Sequence, residues 1–169
     1  MKSYFKDQYS LSRFSSDQWK AYKAIRLEAL QTNPEMFGSN FAKESQYSEQ
    51  EWRAPLQSDQ RAMFALYDGE EIIGVTGIVL KKEDDSKAVL IASFIKPEYR
   101  GQGLSKLFYQ ARIDWAREKG CESVIVAHRD GNEKSKAANQ SFGFEYTHTE
   151  ETIWPDGVSA GQLNYRLKL

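Results

Sequence analysis

Cysteine is almost absent. Cys121 is the only one, so no disulfide forms within the chain, and a reducing, cytoplasmic setting is the expectation. The 4 prolines read as punctuation at element ends, and no Pro/Gly/Ser linker, internal repeat or low-complexity tract is found. Residues 1–169 therefore read as a single domain. No run approaches the ~20 apolar residues of a membrane span. The opening Met1-Lys2-Ser3-Tyr4-Phe5-Lys6 lacks the apolar core of a signal peptide. An excess of charge of either sign is missing too. Lys and Arg total 23, Asp and Glu 24, and the net charge is −1, so no basic stripe for nucleic acid is expected. What is present is 40% hydrophobic and 28% charged residues, which is ordinary globular usage and excludes a disordered chain.

The pattern then divides by period. Tyr9 to Phe14 reads as a strand, and Ser15 with Gln18 as a capping box opening a helix to about Leu30. Pro34 to Ser39 is a loop, and Ser48 with Glu51 caps a short helix around Trp52. Ala62–Tyr67 and Glu71–Leu80 alternate as strands joined at Asp68-Gly69. Lys81 to Lys87 reads as a charged loop before the almost wholly apolar strand Ala88–Ile95, suited to a buried central position. Leu104, Leu107, Phe108, Ala111 and Trp115 form one helical stripe that Gly120 ends. Ser123–His128 is a strand, Asn132 caps a helix to Phe142, and Phe144–Thr152 and Gln162–Leu169 are the last two strands. This order gives an α/β (α+β) fold with a mixed sheet of about seven strands and about four helices.

Chemistry concentrates in Ile95-Lys-Pro-Glu-Tyr-Arg-Gly-Gln-Gly-Leu-Ser105, a strand, a tight turn and a helix start. Gly101 and Gly103 leave amides uncovered, the helix start adds partial positive charge, and Arg100 and Lys106 add full charges: a nest for a phosphate or pyrophosphate. The same segment also reads as a plain glycine turn. A dinucleotide fingerprint fails because Lys106 replaces the third glycine, and a P-loop fails on spacing.

Arg100-Gly101-Gln102-Gly103-Leu104-Ser105, after the apolar strand and Pro97, resembles motif A of the GNAT superfamily of acyl-CoA N-acyltransferases. Ser105 stands where glycine or alanine is typical. Asn132-Glu-Lys-Ser followed by Phe142-Gly143-Phe144 resembles a second family segment, and the element order matches over nearly the whole chain. The resemblance implies acetyl-CoA as co-substrate and an amine acceptor, a small molecule or a peptide, with no metal. It implies a cleft where the fourth and fifth of the seven strands splay. There the backbone of Ser93, Phe94 and Ile95 would pair with the pantetheine arm, and the amides of Gly101, Gln102, Gly103, Leu104, Ser105 and Lys106 would cradle the pyrophosphate. Asn132 would touch pantetheine as well as cap its helix. Dimers are common in the family, so a homodimer is among the implied assemblies.

The match fails at the usual catalytic side chains. Val89 stands near the position of the family's strand glutamate, and Asn139 stands where its tyrosine acid is common. His128, at a strand end beside the splay, is the candidate general base; the competing reading is a hydrogen-bonded core histidine. Phe94 or Ile95 would lend the oxyanion amide. Ser93 reads either as a water-orienting hydroxyl or as a small packing residue. The acceptor side would be walled by Pro34–Phe41 and Tyr146–Asp156. Phe37, Trp52 and Trp154 are candidate aromatics, and Glu35, Glu44, Glu145, Glu150 and Glu151 the carboxylates available to an acidic pocket. Cys121 lies at the wrong end of its helix to carry an acyl group. Two rival readings stay open: a non-catalytic acyl-CoA-binding regulatory module, and a protein that prefers ATP or NAD.

Overall fold

The computed structural model describes residues 2–169. Its frame is one eight-stranded sheet in the order β1-β2-β3-β4-β5-β6-β8-β7. The strands are β1 (Tyr4–Lys6), β2 (Tyr9–Arg13), β3 (Arg61–Asp68), β4 (Glu71–Lys81), β5 (Asp84–Ile95), β6 (Ser123–Arg129), β7 (Glu145–Ile153) and β8 (Ser159–Lys168). Five helices accompany them: α1 (Trp19–Thr32), α2 (Phe41–Glu44), α3 (Glu49–Gln57), α4 (Ser105–Glu118) and α5 (Glu133–Ser141). Among the described residues, β5 and β6 are the one pair of neighbouring strands that runs parallel.

Two apolar layers sandwich the sheet. Leu107, Phe108, Ala111 and Trp115 of α4, the stripe expected from the sequence, pack on Leu11, Phe64, Leu66 and Ile78. Tyr22, Ile25 and Ala29 of α1 and Trp52 of α3 pack on Met63, Ala65 and Val75 from the other side. Successive residues of β3 thus face opposite cores, and the strand is buried without the alternation of a one-sided sheet.

Several boundaries differ from expectation. β1 adds an eighth strand; only three residues long, it carries too little alternation to stand out. The Ser15 capping box is present but opens a 3₁₀ turn, Ser16–Gln18, ahead of α1. Lys81–Lys87 is not a loop: β4 runs to Lys81 and β5 starts at Asp84, with Glu83 at φ 69° in the turn. The turn carries neither Gly nor Asn, so its sequence gives no hairpin signal. The four-residue α2 was not anticipated.

The splay lies between β5 and β6. Pairing covers only Lys87 with Ser123, Ala88 with Val124 and Val89 with Ile125. From Leu90 to Ile95, β5 has no partner on that side. Opposite Thr76 the β4–β5 register slips, and Ala92 is held at φ 61°. This bulge inverts the faces of the strand. Ala88 and Leu90 lie in the α4 core, yet Phe94 lies in the α1 core and Ile95 packs toward α4.

Candidate active site

The Arg100–Leu104 turn links the end of β5 to α4. Gly101 at φ 82° and Gly103 at φ 75° hold the left-handed conformation that favours glycine. The Arg100 amide donates to the Pro97 carbonyl (3.2 Å) and the Lys106 amide to the Gly103 carbonyl (3.3 Å). Between them, the amides of Gly101, Gln102, Gly103, Leu104 and Ser105 have no protein acceptor among the described residues. The turn thus presents five free amides, where the sequence led us to expect six. Its supports are specific. Tyr9 donates to Gln102 Oε1 (3.0 Å), and Leu104 is buried in the α4 core. Arg100 folds back, donating from Nε to the Ile95 carbonyl (2.7 Å) and from Nη2 to Asn33 (2.6 Å). It closes the turn rather than projecting its charge outward. The Lys106 side chain is exposed and lines none of the cavities described below. A basic group that the sequence did not point to, Lys6 of β1, comes close: its Cε lies 3.7 Å from where a Cβ on Gly103 would stand.

From this nest a cavity of about 380 Å³ runs along the open edge of β5, lined by Ser93, Phe94, Ile95, Gly103, Ser105 and Asn132 among others. Backbone direction sorts the three β5 residues. The Phe94 carbonyl faces Gly74, and the Lys96 amide donates to the Ile73 carbonyl (2.9 Å), so Phe94 spends its main chain on β4. Ser93 and Ile95 alternate with it and face the cleft. The Ile95 carbonyl is taken by Arg100, which leaves the Ile95 amide free. Phe94 lines the cleft with its ring. Asn132 accepts from the Ser135 amide (3.2 Å), so it is a true N-cap and also a lining residue.

A channel of about 150 Å³ passes through the splay, between Leu90–Ser93 of β5 and Val126–Arg129 of β6, with Tyr109, Arg112 and Asn139 on its wall. Beyond it opens a cavity of about 750 Å³. Val89, which cannot ionise, lines that cavity.

His128 lies between the channel and the larger cavity, 7% exposed. Both ring nitrogens are engaged: Nδ1 with the Arg129 carbonyl (2.8 Å) and Nε2 with the Tyr165 hydroxyl (2.8 Å). A carbonyl only accepts, so Nδ1 carries the proton and Nε2 accepts from Tyr165. The imidazole is stacked on the Tyr165 ring and fully satisfied.

In the larger cavity the aromatic residues named from the sequence, Phe37, Trp52 and Trp154, all appear, joined by Tyr22 and Tyr47. The protein's own cations already cover two of them, Arg26 over Phe37 at 5.1 Å and Arg129 over Trp154 at 5.4 Å. Of the five named carboxylates only Glu44 lines this cavity, and it is bound bidentately by Arg26 (2.9 Å and 2.9 Å). Burial raises the Glu44 carboxyl, but Arg26, with Ser39 and Lys43, brings it below the ordinary range. Glu35, Glu145, Glu150 and Glu151 are exposed and line none of the three cavities. Arg26, Glu51 and Arg61 also line the larger cavity, which as a whole is therefore not acidic. Sequence reasoning had assigned Glu51 only to a cap.

Arg112 lies on α4, outside every motif the sequence singles out. It is 3% exposed, donates from Nε to the Phe108 carbonyl (3.1 Å) and from Nη1 to Ser93 Oγ (2.9 Å), and has no carboxylate within ion-pair distance among the described residues. Burial pushes its pKa down to about 10, which leaves it cationic at neutral pH. Asn139, 2% exposed, accepts at Oδ1 from Tyr109, and its Nδ2 has no partner. The described residues hold no cluster of potential metal ligands and no helix long and apolar enough to cross a membrane.

Comparison with known proteins matches this architecture. A profile described as "Acetyltransferase (GNAT) family" matches residues 21–144. No curated protein sequence matches the chain. Among solved structures, the ribosomal-protein-S5-alanine acetyltransferase from Vibrio fischeri superposes with TM-score 0.83 at 14% identity, over 99% of this chain and 97% of that one. A Salmonella typhimurium protein solved with its cofactor acetyl-CoA gives 0.79 at 15% identity, over 96% and 94%. An acetyltransferase of the GNAT family from Streptococcus pneumoniae gives 0.78 at 17% identity, over 95% and 99%. At these identities the likeness is one of fold.

Proposed function

This chain belongs to the acetyltransferase (GNAT) family, and from that premise we propose that it transfers the acetyl group of acetyl-CoA directly to a primary amine, with residues 1–169 as the active unit in the cytoplasm. The observation that carries the reading is adjacency. The nest and the unpaired strand edge border one cavity, which shares Ser93, Tyr109 and Arg112 with the channel at the splay, and the channel shares Leu90, Ala92 and His128 with the larger cavity. The five free amides suit a pyrophosphate. The cleft-facing main chain of Ser93 suits an amide of pantetheine, as an added strand would, while Ile95, its carbonyl held by Arg100, keeps its amide for the reacting carbonyl. Asn132 and Ser135 border that path.

The thioester then lies at the splay, and the amine approaches from the larger cavity. The amine nitrogen attacks the carbonyl carbon, a C–N bond forms, and the oxyanion is held by the Ile95 amide. Collapse breaks the C–S bond and leaves the electron pair on sulfur. The nitrogen's proton has two routes, to His128 or to water. The engaged nitrogens of His128 favour water. The Arg26–Glu44 pair and the covered aromatics favour an amine on a neutral or singly charged body over a polycation. A ribosomal-protein acetyltransferase among the structural neighbours makes a peptide amine one fitting candidate.

The test is a thermal-shift comparison of acetyl-CoA, CoA, ATP and NAD, followed by thiol release with a panel of amines. A ligand at ~100 times its Kd adds roughly 2.7 kcal/mol, or about 5–10 °C for a domain of this size. Acetyl-CoA and CoA should give such a shift, and ATP and NAD should not. No shift at saturating acetyl-CoA would overturn the reading.

A further inference from the structure

The buried Arg112 guanidinium lies over the core rings of Tyr109 (5.1 Å) and Phe108 (6.0 Å) and has no carboxylate among the described residues to neutralise it. Arg112 lines both the 380 Å³ cavity and the 150 Å³ channel, so it stands where the two meet. Its Nε and Nη1 are fixed by Phe108 and by Ser93, and Ser93 in turn bonds Thr76 (2.8 Å), tying the guanidinium to the strand bulge. Nη2 donates to no protein group among the described residues. Facing the same channel, Asn139 holds Oδ1 on Tyr109 and leaves Nδ2 without an acceptor. Two sets of buried donors thus border one small space. Among the described residues, no Asp or Glu lines either cavity. The charged or titratable groups facing the space are Tyr109 on the same helix, His128 and Arg129 on β6, Lys134 on α5, and Tyr99 and Arg100 from the turn. Arg129 is committed to Asp156 and the Glu35 carbonyl, Arg100 to Ile95 and Asn33, and Tyr99 to Glu71. Every fixed charge here is positive, and the uncommitted buried donors belong to Arg112 and Asn139. A site of this kind recognises an anion.

We propose that Arg112 receives the coenzyme A sulfur as it departs and holds it as a thiolate, with the Asn139 amide as second donor. The inference rests on the acetyl-transfer reading above. It assigns the leaving-group step in a chain whose position 139 cannot supply a proton. When the C–S bond breaks, the electron pair stays on sulfur and the guanidinium neutralises it. The proton lost by the amine passes to solvent and is not needed at sulfur. Tyr109 is a positioning residue: its hydroxyl donates to Asn139 Oδ1 and so keeps Nδ2 without a protein acceptor.

The test is equilibrium binding of CoA and of desulfo-CoA, which lacks the sulfur, between about pH 6 and 9. The ultraviolet absorbance of bound thiolate is read alongside. A free thiol titrates near ~8.5, and a guanidinium within a few ångströms lowers an acid by about 1–3 units. Wild type should therefore prefer CoA over desulfo-CoA by about tenfold or more as pH rises, with thiolate absorbance appearing below the free thiol's range. Arg112→Met should cut that preference below about threefold and leave desulfo-CoA affinity within about threefold of wild type. Arg112→Lys, which keeps the charge, should retain part of the preference and serves if the neutral variant fails to fold. Equal binding of the two ligands by wild type at every pH would overturn this proposal and leave the acetyl-transfer reading standing. Binding of neither would overturn both.

Discussion

Replacing Arg26 by Met tests how the wall of the larger cavity is held. Arg26 of α1 and Glu44 of α2 form a two-pronged pair at 2.9 Å and 2.9 Å, with side-chain exposures of 13% and 7%. The short α2 makes few other contacts that would fix it against α1. Without Arg26 the Glu44 carboxylate is left buried and unpaired, a change that costs about 3–5 kcal/mol when burial is complete. The residual exposure places the expected loss near the lower end, about 3 kcal/mol. At roughly 2–4 °C per kcal/mol that is a fall of about 6–12 °C in Tm. Arg26→Met/Glu44→Leu removes both charges and should recover most of the loss, giving a coupling of about 2 kcal/mol in a double-mutant cycle. The pH dependence supplies a second readout. In the native chain the Glu44 carboxyl is held below its ordinary 4.5, so the pair's contribution is full above that value and is lost as pH falls through the lowered folded value. In Arg26→Met only burial and weaker partners remain, and the carboxyl moves up. The variant should then gain stability, relative to neutral pH, as acid protonates Glu44. Chemical denaturation of the four proteins at two pH values measures all of this. A coupling under about 0.5 kcal/mol, or a single variant no less stable than the double, would refute the reasoning and reduce Arg26 to a packing residue on Phe37.

Two further outcomes are expected. Gly103→Val meets only Lys6 Cε, at 3.7 Å, so space is not the obstacle; the left-handed φ of 75° is. It should cost about 1–2 kcal/mol in the ligand-free protein and abolish the acetyl-CoA thermal shift, whereas unchanged affinity would place the phosphate elsewhere. His128→Ala removes the partner of Tyr165 and of the Arg129 carbonyl and should lower stability by about 2 kcal/mol, with turnover falling less than about tenfold. A loss of about 10²–10⁴ in turnover, together with disappearance of a pH-rate limb in the imidazole range, would make His128 the base after all.

The glycine turn and the open edge of β5 were legible in the sequence because glycines and periodicity report on backbone. Gly101 and Gly103, the apolar β5 and the α4 stripe act through conformation and burial, which leave one-dimensional traces. The side-chain partnerships were not legible, since each joins distant segments. Arg26 meets Glu44 across two helices, Arg112 meets Ser93 across the sheet, and Tyr165 occupies His128 from β8. Glu51 and Lys6 were missed for a simpler reason, as a cap residue and a surface lysine look alike wherever they point. The hairpin at Lys82-Glu83 escaped notice because its strands are charged where they are exposed, and charge imitates a loop.

The bulge at Ala92 has a consequence for how β5 evolves. It works as a phase shift in the strand's inside–outside code: upstream, even-numbered residues belong to the α4 layer, and downstream they belong to the α1 layer. Each half of the strand can drift in sequence under its own core's demands. The cleft-facing main chain of Ile95 is indifferent to which side chain is chosen, whereas at Ser93 the hydroxyl that holds Arg112 and Thr76 is not. Deleting one residue at Ala92 would erase the shift. Phe94 would swing toward α4, Ser93 would leave Arg112, and the strand would pair more regularly while presenting the wrong edge. The irregular residue is what keeps two cores and one cleft in register.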